Sequence, residues 1–550
     1  MDGTRTPGRS VYRDIDGFRY TVDYSYELEG LTESTDSPAN AEHQPTIWVD
    51  FSPSSPSDPL HFPAFKKYLI TTIACAFTFW TSLNASSYAI GEGSMERDLG
   101  ASRVAAASGL SLYAWGFAVF PMVLAPFSEE LGRRPLYVVA GVLYWVFYFA
   151  VAKANSIAVV LVFRFLQGGA GSVGSTLVGG TLADIWPASE RGGKMAVFAL
   201  MAVSGTAFAP VIFSWVEANP SLEWRWIQWI QIILVGVYLP SIPLFMPETR
   251  AAVLLKKQAE KMRKKKREEQ EGGGKAGEKG VVGVVGGWDQ GMKYLARGEV
   301  GKPKLTELIR VSLVRPIHLL ATEPIVIFFT LWISIAWAVM YGLVQSIPYV
   351  FREVYGFGTG RVGLVYLALT IGGFIGYALN FVQEHYYNTR VGKKGAEARL
   401  YGAMVAGIAL ACGCFIYAWT TFSHITYVAP CIGIVVIMAG VYTIYLACFN
   451  YLADGYSLYA SSALAGQSLV RNLVGGSFPM FANPMYENLN PNWASTLFGL
   501  IAALLAAVPF VGFFYGPQIR AKSKFSKLLL EEEQKAAQEK EGQDDMADPA

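Results

Sequence analysis

The stretch PFSEELGRRP, from Pro126 to Pro135, sets a carboxylate, Glu129, four residues ahead of two guanidinium groups, Arg133 and Arg134. It stands between two apolar runs, each long enough to cross a bilayer. A hydrocarbon core does not solvate these charges, so the turn belongs at a membrane face, close to something that moves. Asp184, in ADIWPASERG, and Glu323, at the start of a later apolar run, are the other carboxylates placed for gating or coupling. One bare surface ion pair contributes little. A network that forms in only one state still biases a two-state equilibrium, because differential interaction shifts populations. The cluster is therefore expected to lock two moving bodies together in one state. Arg164 is the second case. It lies within an apolar run, where an unpaired cation costs roughly 2.5–3.5 kcal/mol on insertion scales. It is expected to face a polar interior as a functional group, the alternative being a structural pair with an acid on a neighbouring run. Arg471, its analogue in the second half, is expected near a helix end, where its long side chain snorkels.

Other chemistries find no constellation here. The five cysteines, Cys75, Cys412, Cys414, Cys431 and Cys448, fall in apolar runs without CxxC or CxxH spacing, and no metal site is expected. The five histidines are scattered, no GxxxxGK[ST] loop is present, and no cofactor is expected. Transport fits better than catalysis.

Composition determines what must position these groups. A chain of 550 residues that is 52% hydrophobic and only 16% charged is too apolar for a soluble domain. Apolar runs of crossing length begin near Tyr68, Val104, Leu136, Ile157, Gly193 and Ile227, and after a polar gap near Glu323, Val362, Leu400, Ile425, Ala460 and Trp493. Backbone groups in lipid must bond within their own segment, so these are helices. The expected fold is an all-α membrane protein of twelve transmembrane helices in two pseudo-symmetric six-helix bundles. Residues 1–62 are expected to be a disordered tail without a signal peptide, 63–249 the first bundle, 250–321 a central loop, 322–517 the second bundle and 518–550 a second tail. Lys and Arg concentrate in the loops that share a side with both termini, which places the termini in the cytoplasm. The net charge of +2 follows from that bias and gives no ground for nucleic-acid binding. In the central loop, the LLKKQAEKMRKKKREEQ segment has helical charge spacing that suits a membrane surface; a solvated linker is favoured over specific lipid binding.

A substrate site should line the midplane cavity. Candidates are Asn84, Tyr113, Arg164, Gln167, Gln345 and Asn380, each with an inter-helix hydrogen bond as the simpler role. Gly205, Pro210 and Pro479 are the expected helix-kink positions; GTAFAP and GGSFP echo one another in the two halves. No Asp or Glu stands clearly mid-membrane, which disfavours a polycation as substrate.

These residues resemble the major facilitator superfamily, and within it the twelve-span drug:proton antiporters of the fungal multidrug and polyamine exporter branch. SEELGRRP resembles its loop motif after span 2, FRFLQGGAGS (Phe163 to Ser172) its span-4 motif, and ADIWPASERG, PETR, NYLADGY and SFPMFANPMY other segments of that branch, in order from about Val49 to Phe525. Two positions depart: Ala125 stands where the loop motif opens with Gly, and VSGTAFAPVIFSW lacks the repeated Gly-Pro pairs of the span-5 motif. The resemblance implies a proton-coupled exporter of drug-like compounds or secondary metabolites, monomeric and in the plasma membrane. Alternatives are a dedicated carrier for one metabolite (polyamine, organic acid or glycolipid) and a membrane sensor that no longer transports.

Overall fold

A computed structural model describes residues 11–15, 18–23, 46–271, 293–296, 299, 305–456 and 459–522. The first half comprises α1 (Ala64–Ile90), α2 (Glu92–Leu99), α3 (Arg103–Leu131), α4 (Arg133–Ala152), α5 (Ile157–Gly171), α6 (Val173–Ile185), α7 (Ala188–Glu217), α8 (Glu223–Tyr238) and α9 (Ser241–Phe245). After α10 (Ala251–Glu271) and α11 (Leu305–Thr322), the second half comprises α12 (Pro324–Glu353), α13 (Thr359–Val365), α14 (Leu367–Lys394), α15 (Tyr401–Thr420), α16 (Val428–Tyr456), α17 (Ala460–Leu505) and α18 (Ala507–Lys522).

Among the described residues, nine helical runs are long and apolar enough to cross a membrane. Two are of double length, Thr359–Thr420 and Ala460–Lys522. The first turns at the 3-10 segment Gly395–Leu400, and the second reverses at Asn490, whose φ is 61°. With α1, which is 27 residues long but diluted by Ser, Thr and Lys, the chain makes twelve crossings, six in each half. The side on which crossing 1 begins is called the terminus side below, and the opposite one the far side.

Small residues determine how closely the crossings approach. A Cβ at Gly168 would collide with the carbonyl oxygen of Tyr113, and one at Gly116 with that of Phe165, so α3 and α5 pack backbone to backbone. A Cβ at Gly205 would collide with the Phe79 carbonyl, which fixes α7 against α1. Helices α7 and α17 run on through Pro210 and Pro479. Both prolines mark seams between the halves. Gly363 of α13 abuts the Pro210 carbonyl, and Gly476 abuts Ala114 of α3 while Trp115 Nε1 donates to Ser477 Oγ at 3.2 Å.

Residues 1–62 were expected to lack structure, and the described part is a correction. Strands β1 (Val11–Ile15), β2 (Phe18–Asp23) and β3 (Thr46–Phe51) pair antiparallel, and β3 pairs in parallel with β4 (Lys293–Ala296) of the central segment. Alternation supplies the reason. Tyr20, Ile47, Val49, Tyr294 and Ala296 bury one face against Ala259, Leu255 and Met262 of α10. Gln258 donates to the Tyr20 hydroxyl at 2.8 Å, and Arg263 pairs with Glu299 at 2.8 Å. Part of the expected linker is thus a small sheet-and-helix unit joining the chain's start to its middle. The Gly272–Gly287 stretch and the tail beyond Lys522 lie outside the described residues.

Replacing Gly168 by Ala is expected to lower stability by about 1–3 kcal/mol through overpacking. Gly93→Ala, where a Cβ meets nothing within 4 Å, should have no comparable effect. Thermal unfolding of the two purified variants against wild type measures the contrast.

Candidate functional site

Arg164 is fully buried, and its partners are neutral. Nη1 donates to Asn84 Oδ1 at 3.0 Å and Gln167 Oε1 at 3.2 Å, while Nε donates to the Gly109 carbonyl at 3.3 Å. The guanidinium lies between the rings of Tyr88 and Tyr113, each centred 4.4 Å away. The charge is thus held by dipoles and π faces instead of the acidic partner weighed as an alternative. Asn84, Arg164 and Gln167 form one polar cluster binding α1, α3 and α5, and it lies behind Tyr113, off the cavity wall.

In front of Tyr113 the two halves line a shared cavity. Its first-half wall carries Thr78, Thr81, Ser86, Tyr113 and Thr206, and its second-half wall Trp337, Tyr341, Tyr445, Arg471 and Asn472. The surface is aromatic and hydroxyl-bearing, with few polar anchors, as small-molecule sites usually are. Among the described residues Arg471 is the one charged group on that wall. It stands eleven residues into α17, about 16 Å at 1.5 Å per residue, and so lies too deep for the expected snorkelling position. Asn380 lines a separate, smaller pocket of the second half with Gln383, Arg399 and Asn450.

On the terminus side, the predicted charges assemble around a residue that sequence reading had not singled out. The Glu248 carboxylate accepts from the backbone N–H of Arg133 (2.9 Å), Arg134 (3.2 Å), Thr249 (3.0 Å) and Arg250 (3.0 Å). An anion at the start of α4 and just ahead of α10 suits both helix dipoles. Gly132 turns the chain before it at φ 95°, a conformation that L side chains rarely adopt, and Glu248 fills the space a Cβ would need. Arg133 then pairs with Asp184 at 3.0 Å and donates to Ser128 Oγ at 3.0 Å, and Arg250 reaches Asp184 at 3.4 Å. Glu129 is exposed and stands outside this cluster. Every partner belongs to the first half or its exit, so the cluster braces one body; it does not lock two. Glu323, at the start of α12, accepts from the Tyr456 hydroxyl at 3.1 Å. The second half repeats the brace with residues not foreseen: Arg399 pairs with Glu384 at 2.7 Å and Asp454 at 2.8 Å.

Contacts that do join the halves include a pair on the far side. Gln345 Nε2 of α12 donates to Glu92 Oε1 of α2 at 3.0 Å, and Arg103 pairs with Glu487. Gln345, expected at the substrate, is part of this latch.

The Major Facilitator Superfamily model matches residues 72–479. The chain belongs to that superfamily. A transporter named paaT from Penicillium rubens is 35% identical over 495 residues, covering 89% of this chain and 85% of its own. The multidrug transporter FLU1 of Candida albicans is 30% identical, covering 90% and 78% respectively. The efflux pump FUB11 of Gibberella moniliformis is 30% identical, covering 92% and 80%. In fold, the chain is similar to the xylose transporter XylE of E. coli in a partially occluded inward-open conformation, with a TM-score of 0.55 at 15% identity over 82% of this chain and 99% of that one. This facilitator-superfamily chain is therefore an integral membrane transporter for small molecules, and not an enzyme.

Glu92 gives the transporter's far side a pH dependence. It lies outside the crossings, buried, and burial pushes its carboxyl up to about 8, with Glu96 adding to the rise and Gln345, Arg103 and Arg164 opposing it. Tyr88 and Tyr366 also face it. A raised carboxyl favours the state that keeps it neutral. Far-side closure is therefore fully favoured below the ordinary value of 4.5, weakens as pH rises to about 8, and levels off above. Spin labels at Gly93 and Leu489 should report a far-side separation that grows over that interval in wild type and stays flat in Glu92→Gln. An unchanged titration in the variant would remove Glu92 from the response.

Proposed function

We propose that the protein exports amphipathic drug-like compounds or secondary metabolites by alternating access, driven by protons moving the other way. The observation that carries this reading is a cavity walled by both halves and shut on the far side by the Glu92–Gln345 and Arg103–Glu487 contacts. A site shared by two bodies changes access when they tilt, and a latch made of polar contacts opens without tearing a packed core. The seams at Gly363 and Gly476 support such tilting, because small residues let helices slide with little change in packing. Glu92 supports proton coupling, being a carboxyl whose burial depends on the latch. The efflux and multidrug roles named for relatives support the outward direction.

The cavity is complete within one chain, which supports a monomer as the transport unit. The basic loops on the terminus side support cytoplasmic termini, and export to the medium fits the plasma membrane. Of the expected substrate contacts, Tyr113 lines the cavity, which supports a contact with a bound solute. Asn84, Arg164 and Gln167 would act through it, as positioning groups.

Purified protein in liposomes, with an imposed pH gradient and a panel of hydrophobic cations, neutral amides and organic acids, tests the proposal. At least one amphipathic probe is expected to accumulate against its gradient, and a proton ionophore should abolish that accumulation. Accumulation that survives the ionophore would contradict proton coupling, and movement of no probe would contradict export.

A further inference from the structure

We propose that the cavity selects amphipathic organic monoanions, with Arg471 as the residue that receives the carboxylate. The inference rests on the export reading and names its substrate class.

The two arginines buried at membrane depth beside the cavity, Arg164 and Arg471, differ in how they are satisfied. Arg164 has three acceptors and two aromatic faces and is closed off from the cavity. Arg471 lines the cavity at 7% exposure, and the acceptor it has is one hydroxyl, Ser468 Oγ, 3.3 Å from Nη2. Its Nε has no partner, and no carboxylate pairs with it among the described residues. Trp337 and Tyr445 flank its guanidinium at 4.5 and 5.2 Å. These rings orient the planar group and supply no oxygen. A guanidinium carries five N–H donors in a fork that matches a carboxylate. Here most of that capacity is left to whatever enters the cavity.

The remaining wall defines the rest of the ligand. Trp337, Tyr341, Tyr445, Phe117 and Met340 offer a surface for one ring system, and the Thr78, Thr81 and Thr206 hydroxyls can meet neutral oxygens. With no acid on the wall among the described residues, a cation would meet an unopposed positive charge in a low-dielectric space, which excludes it by repulsion. A charge-assisted bond formed there is shorter and stronger than a neutral one. Specificity for monoanions over neutral isosteres follows.

The full chain in nanodiscs at pH 7.5, probed with tritiated 1-naphthoate, tests this. Its competitors are 1-naphthamide and 1-naphthylmethylammonium, which share the ring but differ in charge. Wild type is expected to bind naphthoate saturably above empty nanodiscs, with the amide at least about tenfold weaker and the ammonium weaker still. Arg471→Gln should weaken naphthoate about tenfold or more and leave the amide unchanged. Arg471→Lys, which keeps the charge and loses the fork, should fall between. If Arg471→Gln fails to fold, the wild-type ranking and the lysine variant decide. Equal or tighter binding of the amide or ammonium in wild type, an anion preference that survives in Arg471→Gln, or no saturable naphthoate binding would each overturn the proposal. The first two outcomes leave the cavity a transport site with a different charge preference, whereas the export reading fails only if the pH-driven liposome assay moves no probe.

Discussion

A hydrocarbon core gives no water to an ionised side chain, and that constraint orders this molecule. Each charge must find a partner, a helix end or a wet space. Near the terminus-side ends, Arg133, Asp184, Arg250 and Glu248 close a network inside the first half, and Arg399, Glu384 and Asp454 close one inside the second. Each network stiffens its own bundle and puts no charge across the seam between them. Two rigid bodies joined by close-packed seams, whose polar links include the neutral hydrogen bonds from Trp115 to Ser477 and from Tyr442 to the Ala196 carbonyl, can then rock on one another, because among the described residues no buried ion pair must break at the hinge.

The halves are held differently at the far side. There the joining groups are a carboxyl and an amide, Glu92 and Gln345, with an exposed ion pair between Arg103 and Glu487 beside them. Polar contacts of this kind exchange readily for water once the cleft opens. The seams through Pro210 with Gly363, and Ala114 with Gly476, stay packed by small residues, so the mobile contacts and the pivots are different residues. Between them lies the cavity, and on its wall the charge left unneutralised is Arg471.

Much of this architecture was legible in the sequence, because crossing length is a property of one segment. Most of the twelve runs stand out by themselves, as does the misfit of Arg164 within its run, whereas Ser, Thr and Lys dilute the first. What a single segment does not encode is which face of a helix meets which neighbour. Asn84, Gln167 and Arg164 were each visible as polar residues at membrane depth, yet their grouping behind Tyr113 depends on the backbone approach permitted by Gly168 and Gly116. Glu92 was hidden by its flanks, since a carboxyl in IGEGSMER reads as one more interfacial charge until α12 brings Gln345 to it. Glu248 was in view within PETR, but two of its four backbone donors, Arg133 and Arg134, come from the start of α4, far back in the chain. The β3–β4 pairing was hidden for a similar reason. Its alternating Ile47 and Val49 find a partner strand about 245 residues away, across a stretch too polar to announce one.

Cross-linking across the far-side latch tests the central claim, that two bracing-stiffened halves must separate there for a solute to leave. Arg103→Cys with Glu487→Cys, bridged by a short bismaleimide in a background lacking the five native cysteines, should arrest pH-driven transport while each single variant treated alike stays active. Transport that continues at full rate with the bridge complete would contradict the account.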